Sequence, residues 1–299
     1  MRVERAWKGN IEVRLPRTRK RRKAMTVTIT VLAGADHANQ SGSFIMCADT
    51  LITYCADGVP LSANQEGTKL YDLPHGFYVA IADDISRSHQ VVSFLYHQMG
   101  SLQPSDANFV DMVKLCLDRT AEYVRLWMRR EVLAEYGISL KEFLEKKKLV
   151  KRDEIADEIR NRVLSTQLSI AGFTAKGNPL MFFTDCVNTQ EGTNPGIFCG
   201  GAGQATALDW LNFRGQNCFM SIARSYYHVR EAKQFAEVCP VVGPKNQTIL
   251  IRHNRPIANL SIATPTTEKW FEGMFPRTTD WLEKKEAWSQ LSDAYGINS

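Results

Sequence analysis

Residues 25–33, Met-Thr-Val-Thr-Ile-Thr-Val-Leu-Ala, alternate threonine with bulkier aliphatic residues and stop at Gly34. Both sets of positions suit a pleated surface, so the stretch predicts a strand read on both faces. A polar, Gly-bounded hairpin loop over 34–42 leads to a second strand at 43–49. Residues 51–64 read as a loop with room for a short strand. Strands at 68–73 and 76–82 are joined through the turn Leu73-Pro74-His75-Gly76.

The period then changes. Val91, Val92, Leu95 and Met99 form a helical stripe within 86–99. Ser105-Asp106 cap a second helix with Phe109, Met112, Val113, Leu117, Val124 and Met128 on one side, running to Tyr136 before Gly137. Ser139 opens a short helix. Dense charge over 146–162 predicts a solvated helical hairpin, and 137–165 is read as an insertion at the edge of the domain. Strands return at 167–173 and 179–185, around the turn Ala175-Lys176-Gly177-Asn178, and at 196–200. Helices over 204–212 and 219–235 precede a last strand at 247–252. Beyond Pro265, Trp281, Trp288 and Tyr295 recur at heptad spacing on a helix, a pattern typical of a docking face. Strands, two helices, strands, two helices and a strand predict an α+β fold. The architecture expected is a four-layer αββα sandwich, with two antiparallel sheets face to face and helices outside.

Composition changes this picture little. The chain has 299 residues, 44% hydrophobic and 23% charged, ordinary globular values. No apolar window reaches the roughly 18 residues of a membrane span, and no signal-peptide h-region follows the basic start. Seven cysteines form no C-x-x-C pair, which favours reduced core thiols and a cytoplasmic setting over a zinc site or disulfide framework. Charge is more informative. Residues 1–24 hold ten Lys/Arg and two Glu; removing their +8 from the overall +5 leaves −3 for the rest. Residues 1–25 therefore read as a basic leader or propeptide, 26–264 as one domain and 265–299 as a helical extension. With no basic face interleaved with aromatics downstream, nucleic-acid binding is not expected.

The order threonine, aspartate, lysine at the edges of the first three strands suggests chemistry. Thr26 opens the first strand, Asp49 ends the second and Lys69 lies in the third. Downstream come Leu168-Ser169-Ile170-Ala171-Gly172-Phe173, Lys176-Gly177, Leu180-Met181-Phe182-Phe183-Thr184-Asp185 and Cys199-Gly200-Gly201-Ala202-Gly203-Gln204-Ala205. Over roughly residues 26–255 this order resembles the proteasome β-type subunits and the related bacterial two-component protease. Both are N-terminal-nucleophile (Ntn) hydrolases.

The resemblance implies a threonine-type peptidase or amidase acting on a peptide or protein within a homo-oligomer, with a ring as one form. It needs no cofactor and no metal. Thr26 matches the nucleophile, whose freed α-amine is the general base, with a reference pKa of roughly 7.7–8.0. Lys69 matches the lysine that favours the anionic hydroxyl, and Asp49 the aspartate that holds it. The candidate oxyanion positions, through backbone N–H groups, are Asp83 and Gly201. Asp83 stands where the family has its oxyanion glycine, which puts a carboxylate beside a developing oxyanion; Gly201 stands where the family has a serine, and Val238 and Val241 stand near its later Asp-x-x-Ser element, with Glu237 beside them. These departures imply the alternative, a catalytically inactive structural or binding member of the same fold. Each candidate also has a plainer role. Threonine is common in strands and Thr28 is a rival nucleophile; Asp49 can end a strand, and Lys69 can be an edge charge.

Overall fold

The computed structural model describes residues 26–35, 42–56, 59–82, 85–145, 151–194, 196–239, 242–255 and 257–260, with backbone alone at 52–56, 59–66 and 85–86. The expectations for the leader, Asp83, Val241 and the extension with Trp281, Trp288 and Tyr295 lie outside these residues.

The first half of the chain forms β1 (Val27–Ala33), β2 (Ser43–Asp49), β3 (Leu51–Ala56), β4 (Val59–Glu66), β5 (Leu70–Leu73) and β6 (Phe77–Ala82). Four helices follow: α1 (Ile85–Gly100), α2 (Phe109–Glu135), α3 (Leu140–Glu145) and α4 (Arg152–Leu164). The second half forms β7 (Gln167–Phe173), β8 (Pro179–Thr184), β9 (Thr189–Glu191), β10 (Ile197–Gly201), α5 (Gln204–Phe213), α6 (Ile222–Ala236), β11 (Asn246–Arg252) and β12 (Ala258–Asn259). The fold is mixed α+β. One antiparallel sheet has the order β10-β1-β2-β11-β12 and the other β5-β6-β7-β8-β9, with β3 and β4 as a separate hairpin.

The alternation in β1 explains its central place. Val27, Ile29 and Val31 pack on Ala207, Leu211, Tyr226 and Val229 of α5 and α6. The opposite face turns toward the second sheet: Leu32, Phe44, Met46 and Ile251 meet Ala80, Ala171, Phe173 and Met181. The far side of the second sheet, with Phe77, Val79, Ile170 and Phe182, packs on Val91, Leu95 and Met99 of α1 and on Val113, Leu117 and Val124 of α2. Each such side chain fully withdrawn from water contributes roughly 1.5–3 kcal/mol. A strand buried on both faces therefore cannot slip register without moving all its apolar groups to the wrong layer.

Several local expectations change. Residues 51–66 form the β3–β4 hairpin rather than mostly a loop, held by pairing from Leu51↔Glu66 to Ala56↔Val59. The pairing shifts register at Ile52/Tyr54 and Tyr54/Cys55, an irregularity that a simple alternation of side chains does not announce. The short strands β9 and β12 were not expected. Lys69 lies one residue before β5, which begins at Leu70. The helix expected from 219 begins at Ile222, because the Ser221 hydroxyl accepts the Arg224 N–H at 3.3 Å and caps it there; Phe219 is exposed. The long helix begins at Phe109, not at the Ser105-Asp106 cap. Ser139 does cap α3: its hydroxyl accepts from Glu142 N, and the Glu142 carboxylate accepts from Ser139 N. The charged stretch after it is not wholly solvated, for α4 buries Ile155 beside Val132 and Leu133, and Val163 in the α1–α2 core.

Candidate active site

Three strand ends meet where the two sheets face each other. Thr26 immediately precedes β1. Asp49 is the last residue of β2, and the β1–β2 register Thr28↔Ala48 brings it alongside Thr26 and Val27. Lys69 enters from the other sheet, its carbonyl accepting the Ile81 N–H at 3.0 Å. All three are buried: Thr26 is 1% exposed, Asp49 0% and Lys69 6%.

The side chains form one hydrogen-bonded group. The Lys69 Nζ donates to the Thr26 Oγ1 at 2.5 Å, to the Asp49 Oδ1 at 3.0 Å and to the Leu51 carbonyl at 2.8 Å, which satisfies its three N–H bonds. The Thr26 hydroxyl donates to the same Asp49 Oδ1 in a short contact. Asp49 is further fixed by backbone N–H groups, from Val27 to Oδ1 at 2.9 Å and from Gly243 to Oδ2 at 3.3 Å. Burial holds the Lys69 ammonium below the ordinary lysine value. The charge and hydrogen bond of Asp49 work against that depression, and the nearby charge of Lys233 adds to it.

Gly201, at the end of β10, makes close approach possible. Its φ is +88°, and a Cβ there would fall 2.3 Å from the Thr26 carbonyl oxygen. Only glycine combines that backbone conformation with that contact. The Gly203 N–H donates to the same carbonyl at 3.2 Å. The Gly201 N–H, expected as an oxyanion donor, is instead given to the Gln167 Oε1 at 2.7 Å, so it is committed to a side chain and does not face the Thr26 hydroxyl as a free donor. Asp83, the other backbone candidate, lies outside the described residues.

The rival nucleophile does not reach the lysine. The Thr28 Oγ1 is buried with no hydrogen-bond partner among the described residues, and Thr30 pairs with Ser169 across the sheets at 2.8 Å. Val238 is 75% exposed and stays out of the site. Glu237 accepts from Lys233 at 2.5 Å. Sequence reasoning missed Gln167, Gly243 and Lys233. Backbone donors such as Gly243 leave no side-chain signal. Lys233 did leave one, since it breaks the apolar stripe Tyr226, Val229, Ala236 at helical spacing.

The arrangement provides a hydroxyl between a carboxylate acceptor and an ammonium donor, out of bulk water. A positive charge so close to an oxygen favours its alkoxide character, and low local dielectric strengthens the effect. Among the described residues, no group of three or more His, Cys, Asp or Glu side chains gathers as a metal site, and no helix is long and apolar enough to cross a membrane. Burial pushes the Cys47 and Cys199 thiols up, away from reactive thiolates.

Compared with known proteins, the chain matches no family model and no curated relative.

Proposed function

We propose that the chain is a threonine-nucleophile hydrolase of the proteasome-like Ntn class, with the αββα layering of that class, acting on the amide bonds of a peptide or protein. The observation that carries the reading is the Lys69 Nζ at 2.5 Å from the Thr26 Oγ1, with Asp49 bonded to both. Three residues 20 to 43 positions apart converge there, and burying an ion pair is costly unless geometry and extra hydrogen bonds compensate.

The chemistry follows from the atoms. Cutting the Met25–Thr26 bond frees the Thr26 α-amine, which takes the hydroxyl proton as Oγ1 attacks the substrate carbonyl carbon. Lys69 stabilises the charge on Oγ1 and Asp49 holds Lys69. The proton passes to the leaving amine, and water then hydrolyses the Thr26 ester and restores the hydroxyl. The same reading makes the protein a homo-oligomer, with a ring as one form, in a reducing cytoplasm. Phe213 and Val238, each 75% accessible, are the most exposed of the described large apolar side chains and the kind of group such contacts would cover.

A second reading, a catalytically silent member of the same fold, is favoured by Gly201 and Val238, which offer no polar side chain where the family has serine and aspartate. Intact mass of the full-length expression product separates the two. Thr26 at the N-terminus, lost in Thr26→Ala and Lys69→Ala, supports the hydrolase. A terminus that keeps Met25 leaves the nucleophile without its base and supports the silent member.

A further inference from the structure

The centre has a second buried lysine behind it. Lys233, near the end of α6, is 2% exposed. It donates to the Glu237 Oε1 at 2.5 Å and, in a short contact, to the Gly243 carbonyl. A lysine at a helix C-terminus with a carboxylate four residues on is ordinarily a solvated pair that contributes little. Burying the ammonium costs far more than that, so such a pair does not explain its position.

The Gly243 backbone gives a reason. Its N–H donates to the Asp49 Oδ2 at 3.3 Å. Its α-carbon lies against Leu51, where an added Cβ would fall 2.4 Å from the Leu51 Cβ. Leu51 and Asp49 both accept from the Lys69 Nζ. One residue thus touches both acceptors that aim Lys69 at Thr26, and Lys233 holds that residue by its carbonyl.

We propose that Lys233 is a positioning residue for the Thr26–Asp49–Lys69 centre, fixing Gly243 so that Asp49 and Leu51 keep the Lys69 Nζ against the Thr26 hydroxyl. The proposal rests on the hydrolase reading for its consequence, but its geometry stands apart from activity. The charged groups bearing on Lys69 are Asp49 on β2 and Lys233 on α6, and the charge of Lys233 also helps to hold the Lys69 ammonium below its ordinary value. The sequence offers one compatible signal, a lysine on the buried stripe of an otherwise amphipathic helix.

The test compares the wild type with Lys233→Met and Lys233→Arg, all full-length, by two measurements. The first is amide exchange at Gly243. Lys233→Met is expected to speed exchange there about 10-fold or more while the β2–β11 ladder amides keep their protection, with Lys233→Arg in between. The second is the rate at which a peptidyl vinyl sulfone labels Thr26, expected to fall about 10-fold or more in Lys233→Met and to recover in part in Lys233→Arg, because a small misplacement of a catalytic group is costly. Unchanged Gly243 exchange, or unchanged labelling of a reactive wild type, overturns the proposal. If the wild type itself is not labelled, the hydrolase reading fails, and Gly243 exchange alone decides the positioning role. If Lys233→Met does not fold, Lys233→Arg carries both measurements.

Discussion

Lys69 lies 43 residues along the chain from Thr26, yet its Nζ sits 2.5 Å from the Thr26 Oγ1 across the boundary between two sheets. One residue is carried by the edge of β1 and the other by the approach to β5, so the contact exists only when the sheets stack. Asp49 bridges them, with its Oδ1 accepting from both side chains and from the Val27 N–H.

The two threonines of the first strand are expected to behave oppositely. Thr26→Val removes the hydroxyl that Lys69 and Asp49 address and abolishes labelling by an electrophile. Thr28→Val removes a buried hydroxyl with no partner among the described residues, leaves labelling intact and raises stability by up to about 1 kcal/mol. Labelling rates and urea unfolding of both variants check this; loss of labelling in Thr28→Val would move the nucleophile.

Substitution within the ion pair should be asymmetric. Asp49→Ala leaves the Lys69 ammonium buried with only Thr26 and the Leu51 carbonyl, and is expected to cost about 3–5 kcal/mol. Lys69→Met leaves Asp49 with the Val27 and Gly243 N–H groups and the Thr26 hydroxyl, and is expected to cost less. Chemical unfolding of the two variants under one condition gives the order directly.

Gly201→Ala is expected to destabilise by at least about 2 kcal/mol. The new methyl would stand 2.3 Å from the Thr26 carbonyl oxygen at a φ of +88°. It should also displace Thr26 from Lys69, so a lower melting temperature accompanied by lost reactivity at Thr26 is the expected pair of results.

His228 makes a pH-dependent contribution remote from the centre. It is 1% exposed and bonds Gln216 at 3.0 Å. Burial first, then the charges of Arg224 and Arg214, push its imidazolium down to about 4 from 6.5. The unfolded chain therefore binds a proton that the folded chain refuses between those two values. Stability should fall as pH drops through 6.5 and level off below about 4, by on the order of 3 kcal/mol from this group. Urea midpoints at pH 7, 5.5 and 4 measure the slope, which His228→Gln should flatten.

Much of this was written in local pattern. Alternation in β1 placed Val27, Ile29 and Val31 on one face and Thr28 and Thr30 on the other, and the 3.6-residue stripe of α1 named the side chains that reach the core. Such periods are legible because burial repeats along one element with the geometry of its own backbone. The β3–β4 hairpin was less legible, since its strands are defined by pairing with each other, with register shifts at Ile52/Tyr54 and Tyr54/Cys55 that break a regular alternation. The types and order of Thr26, Asp49 and Lys69 were also present in the sequence, and the structure brings these three side chains together.

Tertiary structure alone decided which of those residues meet. It set Thr26 rather than Thr28 against Lys69, turned the Gly201 N–H toward Gln167, sent Val238 to solvent and brought Gly243 and Lys233 behind Asp49. The physical reason is that strand register and sheet stacking arise from contacts between residues far apart in the chain. No single element contains those distances, and a backbone N–H that holds a carboxylate is the same chemical group at every non-proline position until the fold aims it.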